Sequence, residues 1–254
     1  MLYQQSVQDT PTEYVFLNKA FRRLRRRTPR ILREDFCGTA QMACEWVKGN
    51  RDNQAIGVDL DNDVLVWGRE HNLAQLTPLQ RKRLRLVEAD VRTVECRAAD
   101  IILAMNFSYQ VFKTRAGLLE YFKRAREGLK KDGIFFLDLF GGYDAFREMA
   151  EKTDHRKFTY VWDQHRYNPI TGEILCHIHF TFPDGSKLQN AFTYDWRLWT
   201  LPELQDLLYD AGFKRVTVYW QGTDPRTKDF DGVFEPATQA DADPAWVAIV
   251  GAEK

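Results

Sequence analysis

A doubly wound α/β domain, built on a seven-stranded, mostly parallel sheet with an inserted antiparallel β meander, is the fold class that the sequence predicts. Three observations predict it. Short β-branched apolar runs alternate with helical periodicities from about residue 12 to residue 140, several turn-separated β runs follow between 157 and 197, and a helix and two strands close the chain. At 254 residues the chain is long enough to bury one large core, and a single domain over 1–254 is expected.

The elements follow in order. Residues 12–27 place Val15, Leu17, Phe21 and Leu24 near helical spacing until Thr28 and Pro29 stop the helix. A short strand at 30–34 leads into a small-residue turn, and 40–47 reads as a helix with Ala40, Ala43, Cys44 and Val47 on one side. The β-branched run 55–59 is a buried strand backed by a helix at 62–72, and 84–90 and 100–106 are two more strands. A long amphipathic helix over 114–131 is expected to stop at Asp132 and Gly133, ahead of a fifth strand at 134–140. The runs 158–162, 176–182 and 188–196, separated by Asn168 to Gly172 and Pro183 to Gly185, form the meander, expected to occupy 152–199. A helix at 201–212 with Pro202 in its first turn precedes strands at 216–220 and 246–250, which a polar connection at 222–244 joins.

Composition excludes several functions. Thirty-six basic and 36 acidic residues leave no net charge, so there is no global field for holding nucleic acid or an anionic membrane. No apolar run approaches the ~20 residues of a membrane span. The N-terminus lacks the basic-then-apolar order of a secretory signal, so a cytoplasmic location is expected, where Cys37, Cys44, Cys96 and Cys176 stay reduced. No C-x-x-C pair suggests zinc or thiol redox chemistry. The run Arg22 to Arg27 reads as a solvated helix face, since Phe21 and Leu24 turn inward.

The chemistry concentrates at strand ends. Glu34 precedes a turn, Phe36 to Ala40, that opens a helix and lets a ligand approach backbone N–H groups. The next strand ends in Asp59, whose carboxylate can accept from both hydroxyls of a ribose, so a nucleoside cofactor is indicated. Asp90 ends the third strand, placed to accept from an adenine amino group while Val91 offers a backbone N–H. A nicotinamide dinucleotide fits poorly, because the turn lacks two of the three fingerprint glycines and an acid precedes it where pyrophosphate would be repelled.

Through E-D-F-C-G-T-A (34–40), G-V-D-L-D (57–61), E-A-D-V (88–91), A-D-I-I-L (99–103), L-L-Y-D-A-G-F (207–213) and V-T-V-Y (216–219), most of the chain resembles the class I S-adenosylmethionine-dependent methyltransferases. The resemblance implies an enzyme that binds S-adenosylmethionine and releases S-adenosylhomocysteine, with the last strand entering the sheet antiparallel. It assigns Glu34 to the methionine amino group through water and Phe36, Gly38 and Thr39 to the methionine part. Asp59 with Leu60 falls to the ribose, Asp90 with Val91 to the adenine, and Asn106 to the transfer region. One departure stands out: Phe36 and Ala40 replace glycines of the G-x-G-x-G form, and since such residues do not adopt positive φ as glycine does, the backbone contacts of the turn are expected to differ.

Asn106 to Tyr109 lacks the prolines of an N-P-P-Y motif, so no catalytic base is assigned. Tyr109, Tyr194 and Arg197 are expected to line an acceptor site, with Arg197 holding a carboxylate or pairing with an acid. His165, His177 and His179 read as surface or packed residues, so no metal is expected, and Cys37 reads as a small apolar filler. Aromatic residues crowd the meander and its exit, which fits a lid over a small molecule. The expected function is methyl transfer to N or O of a small-molecule acceptor, with residues 1–28 as an N-terminal helical lid and 152–199 as substrate cover or homodimer contact. The competing readings are an RNA or protein methyltransferase and a non-catalytic S-adenosylmethionine-binding protein.

Overall fold

A computed structural model describes residues 2–7, 9–224, 226–227 and 230–254; Met1 and Gln8 of the expected lid, and Pro225, Lys228 and Asp229 of the 222–244 connection, lie outside them. Helices α1 (Leu2–Val7) and α2 (Thr10–Arg25) precede β1 (Ile31–Asp35), α3 (Gln41–Gly49), β2 (Gln54–Asp59), α4 (Asn62–His71), the short α5 (Pro78–Arg81) and β3 (Leu84–Glu88). Then come β4 (Ala99–Ala104), α6 (Arg115–Gly128), β5 (Leu129–Gly141), the inserted strands β6 (Met149–His155), β7 (Phe158–Asn168), β8 (Glu173–Thr181) and β9 (Lys187–Arg197), and finally α7 (Leu201–Asp210), β10 (Arg215–Thr223), β11 (Phe230–Pro236) and β12 (Trp246–Glu253).

The main sheet has the order β11-β10-β12-β5-β4-β1-β2-β3. Strands β1 to β5 pair in parallel, while β12 enters antiparallel between β5 and β10. The doubly wound fold is therefore as expected, with eight strands rather than seven. The extra one, β11, arises inside the expected 222–244 connection and pairs antiparallel with β10. Every residue of β1 and β4 is buried, because helices cover both faces: α6 and α7 pack on one side, α2 and α3 on the other. The order reverses between β1 and β4, and the crevice beyond their carboxyl ends is where such sheets take ligands.

Local differences have local causes. Helix α6 stops at Gly128, so Asp132 and Gly133 lie inside a longer β5 instead of forming its C-terminal stop; an irregularity between Ala99 and Ile101 accommodates the extended pairing. The meander is four-stranded and spans 149–197, in the order β6-β7-β8-β9. On α2 the buried apolar residues are Phe16, Leu17, Ala20 and Phe21, whereas Val15 is 62% exposed.

The basic run at the end of α2 is tied into the domain: Arg25 pairs with Glu253 at 2.5 Å, Arg23 with Glu235 at 3.2 Å, and Arg27 with both Asp100 and Asp132 at 2.7 Å. Arg26 closes α2 with φ 53°, its N–H donating to Arg22 O. A side chain in that left-handed conformation is strained, so Arg26→Gly is expected to stabilise the fold by about 0.5–1 kcal/mol after the loss to unfolded-chain entropy. Urea denaturation checks it; a lower midpoint would show that the Arg26 side chain contributes more than its backbone costs.

Candidate cofactor site and acceptor cavity

The turn after β1 folds because three elements hold it. Cys37 N donates to Val58 O at 3.0 Å and Gly38 N to Asp59 Oδ2 at 2.7 Å, which fastens the turn to β2. Asn72 Nδ2 donates to Thr39 O at 2.9 Å, and Gly68 permits α4 to approach, since a Cβ there would lie 2.7 Å from Thr39 O. From α1, Gln4 Nε2 donates to Thr39 Oγ1 at 2.8 Å. Within this clamp Phe36 (φ 55°), Gly38 (φ 51°) and Ala40 (φ 57°) all take the left-handed conformation. The expectation for Phe36 and Ala40 is thus corrected: the surroundings impose positive φ on residues other than glycine, at a strain of about 1–2 kcal/mol each.

Glu34 is buried, and its Oε2 accepts from Ala43 N at 2.8 Å, so it caps the first turn of α3, where Ala40 supplies no side-chain cap. Burial, with the nearby charges of Glu13, Asp59 and Asp35, pushes its carboxyl up to about 8, against the opposing Ala43 N–H. A ligand cation is what such a carboxyl accommodates. Asp59 sits at the tip of β2 with Oδ2 on Gly38 N and Oδ1 on Asp61 N at 3.0 Å. Leu60 beside it is 67% exposed, an apolar surface suited to a ring.

Asp90 is held by Arg92 at 2.6 Å, and this hydrogen bond keeps its carboxyl below the usual range. The guanidinium therefore already occupies the carboxylate expected to face an adenine. The Val91 side chain is buried, and its backbone N–H meets no protein acceptor among the described residues. Two further features fit an S-adenosylmethionine-like ligand. Gln41 Oε1, at the start of α3, is buried without a hydrogen-bond partner, and a Cβ on Gly38 would find open space with only Val64 at 3.8 Å.

Beyond β4, Asn106 (φ 57°) and Phe107 (φ 58°) form two successive left-handed residues. They are held by Asp138, a residue that the sequence reading passes over: Asn106 N donates to Oδ2 and Phe107 N to Oδ1, each at 2.9 Å. The only signal for it is an acid inside the otherwise apolar run 134–140. Burial pushes its carboxyl up to about 7, against both N–H groups.

Asn106, Phe107 and Asp138 open on a cavity of about 580 Å³ between the ends of β4, β5 and β12, the helices α1 and α2, and the inserted sheet. Tyr3, Tyr160, Trp162, Tyr194 and Trp196 supply aromatic walls, and Asp9, Glu13, Asp138, Asp144 and Glu151 supply carboxyls; no Lys, Arg or His is among the described lining residues. Helix α1 seals one side, with Leu2, Tyr3 and Val7 packed on the cluster of Phe158, Tyr160, Ile178 and Phe180.

Tyr194 lies on this cavity, but Tyr109 and Arg197 do not. A short 3₁₀ turn, Ser108–Val111, carries Tyr109 into the core against Phe122, fully buried. Arg197 lies over the Trp199 ring at 3.7 Å and pairs with Glu203 at 3.0 Å, so it serves the start of α7. Burial, with the charges of Glu34, Asp59 and Asp35, raises the Cys37 thiol well above its ordinary range, which removes nucleophilic character. Among the described residues no three His, Cys, Asp or Glu side chains form a metal-binding group, and His179 instead accepts from Asn190 N at 2.9 Å.

No protein-family model matches the sequence, and no curated protein sequence matches it. Solved structures do. An S-adenosylmethionine-dependent methyltransferase from Clostridium acetobutylicum superposes with a TM-score of 0.66 at 16% identity, over 98% of this chain and 94% of its own. The sugar N-methyltransferase KedS8 from Streptoalloteichus gives 0.65 at 17% identity over 98% and 90%. The S-adenosylmethionine-bound amino pentose methyltransferase CalS10 from Micromonospora echinaspora gives 0.64 at 14% over 98% and 94%. The chain has the class I S-adenosylmethionine-dependent methyltransferase fold.

Proposed function

We propose that the protein is a methyltransferase that uses S-adenosylmethionine to methylate nitrogen or oxygen of a small molecule. The observation that carries this reading is the walled cavity at the carboxyl ends of β4 and β5, beside the turn that follows β1. Its 580 Å³ and aromatic walls suit a molecule that can be surrounded and dried. Sugar and amino pentose methyltransferases among the similar structures support a small acceptor.

Bound S-adenosylmethionine supplies an electrophilic methyl group on a sulfonium. The residues of this chain then do three things. Asp59 would accept from the ribose hydroxyls, Glu34 would meet the amino group through water, and the Val91 N–H would meet the adenine edge. The left-handed pair Asn106 and Phe107 shapes the floor on which the acceptor atom comes into line with the methyl group. Helices α1 and α2 and the inserted strands cover it, excluding water. No helix among the described residues is long and apolar enough to cross a membrane. Against RNA as acceptor, Arg23, Arg25 and Arg27 of the basic run are each paired with acids of the same chain.

Asp59→Ala is expected to weaken S-adenosylhomocysteine binding by about 1–3 kcal/mol through loss of charged hydrogen bonds, measured by calorimetry. Tight NAD binding with none for S-adenosylhomocysteine would reverse the cofactor. Transfer of labelled methyl to a component of a metabolite extract separates an enzyme from a non-catalytic binder.

A further inference from the structure

We infer that Glu13, on the N-terminal helix α2, is the group that receives the acceptor as an ammonium ion and takes its proton, which makes the acceptor atom an amine nitrogen. The inference rests on the small-molecule reading above and narrows it to one substrate class.

Four observations carry it. First, Glu13 lines the cavity, and its carboxyl makes no hydrogen bond or ion pair with any described residue. The other acids around it are engaged or lie open: Asp9 caps α2 at Thr12 N, Asp138 holds the backbone of Asn106 and Phe107, Asp144 pairs with Arg147, and Glu151 is exposed. Second, the lining offers five carboxyls and no cationic side chain among the described residues, a field that favours a cation and disfavours a carboxylate or phosphate. Third, the wall opposite is aromatic, with Trp162 and Tyr194 ring centroids 5.9 Å apart and Tyr194 and Trp196 4.3 Å apart, and such faces attract an ammonium. Fourth, Glu13 lies within electrostatic reach of both Glu34 of β1 and Asp138 of β5: its charge acts on the first and is itself acted on by the second.

The groups that face it are Asp9 at the start of its own helix, Tyr3 on α1, Glu34 on β1 and Asp138 on β5; none is a cation. Burial, then Asp138 and Asp9, push the Glu13 carboxyl up to about 8, which makes it a stronger base than an ordinary glutamate; an ammonium docking beside it draws that value down again and favours the carboxylate that takes the proton.

The step balances. The Glu13 carboxylate takes one proton from the ammonium, leaving a lone pair on nitrogen and a carboxylic acid on Glu13. That lone pair forms the new N–C bond as the C–S bond breaks and its electrons return to sulfur. The positive charge thereby passes from sulfur to the methylated nitrogen.

The test uses the full chain loaded with S-adenosylhomocysteine, wild type and Glu13→Gln, titrated with cyclohexylammonium and with cyclohexanol. The wild type is expected to bind the ammonium at least tenfold tighter than the alcohol. Glu13→Gln should lose that preference while its affinity for S-adenosylhomocysteine changes less than twofold, which also shows that the variant folds. With labelled methyl donor and a metabolite extract, label is expected in amine products, resolved by chromatography from the cationic donor, with a rate that rises with pH in the wild type along a limb that Glu13→Gln moves up toward the amine's own pKa. Equal binding of the two probes, a tenfold loss of S-adenosylhomocysteine affinity in Glu13→Gln, or label in neutral alcohols at an undiminished rate would overturn the assignment. Label in RNA or protein, or no binding of S-adenosylhomocysteine by the wild type, would instead defeat the small-molecule reading and the assignment with it.

Discussion

Asp35→Ala is expected to lower the stability of the fold by about 3–5 kcal/mol, since it strands a charge in the core. Arg33 and Asp35 both lie on β1 and are 2% and 1% exposed. Arg33 Nε and Nη2 donate to the two Asp35 oxygens at 2.7 and 2.8 Å, and Tyr121 OH of α6 donates to Oδ2 at 3.0 Å. A bidentate pair satisfies a guanidinium that no water reaches, and removal of the carboxylate leaves that cation and a phenol unpaired. Urea denaturation reads the loss as a lower midpoint at unchanged slope. Arg33→Met combined with Asp35→Leu should recover much of it, because an apolar replacement of both partners leaves only the Tyr121 hydroxyl without its acceptor. A loss in Asp35→Ala below about 1 kcal/mol would mean that the guanidinium escapes to solvent.

Asp138→Ala is expected to remove methyl transfer more thoroughly than it removes stability. The substitution frees two N–H groups at about 1–3 kcal/mol each and releases two residues from a conformation that neither asparagine nor phenylalanine holds unaided. The floor of the cavity then relaxes, and a displacement of about 1 Å at a reacting centre costs on the order of 100-fold in rate. Asp138→Asn keeps one acceptor oxygen and should retain an intermediate rate. Turnover of both variants against the acceptor found in the extract, with melting measured alongside, decides it. A rate loss that merely tracks the unfolded fraction would make Asp138 a structural residue only.

What the sequence discloses depends on burial. Strand β1, which carries Arg33, Glu34 and Asp35, is found from the turn that follows it, whereas β2 and β4 are legible because both faces of the sheet are covered and they read as apolar runs. Strands β6 and β11 are not, since almost all their residues face solvent and no alternation marks a buried side. Glu34 and Asp59 are found at strand ends because the motif order places them there. Asp90 is found too, but its capture by Arg92 two residues later depends on a side-chain turn that spacing does not encode. Tyr109 misleads, because a 3₁₀ turn rotates it inward just where an extended continuation would have aimed it at a ligand. Glu13 is hidden for a different reason: an acid in the first turn of a helix is ordinarily there for the helix dipole, and only the tertiary fold brings it to a cavity.

The left-handed turn after β1 has a consequence for which side chains it admits. Its shape is distributed among Val58, Asp59, Gly68, Asn72 and Gln4, none of them within the turn itself. Conformation there belongs to the surroundings, so side chains larger than glycine are accommodated in the turn as long as the clamp persists.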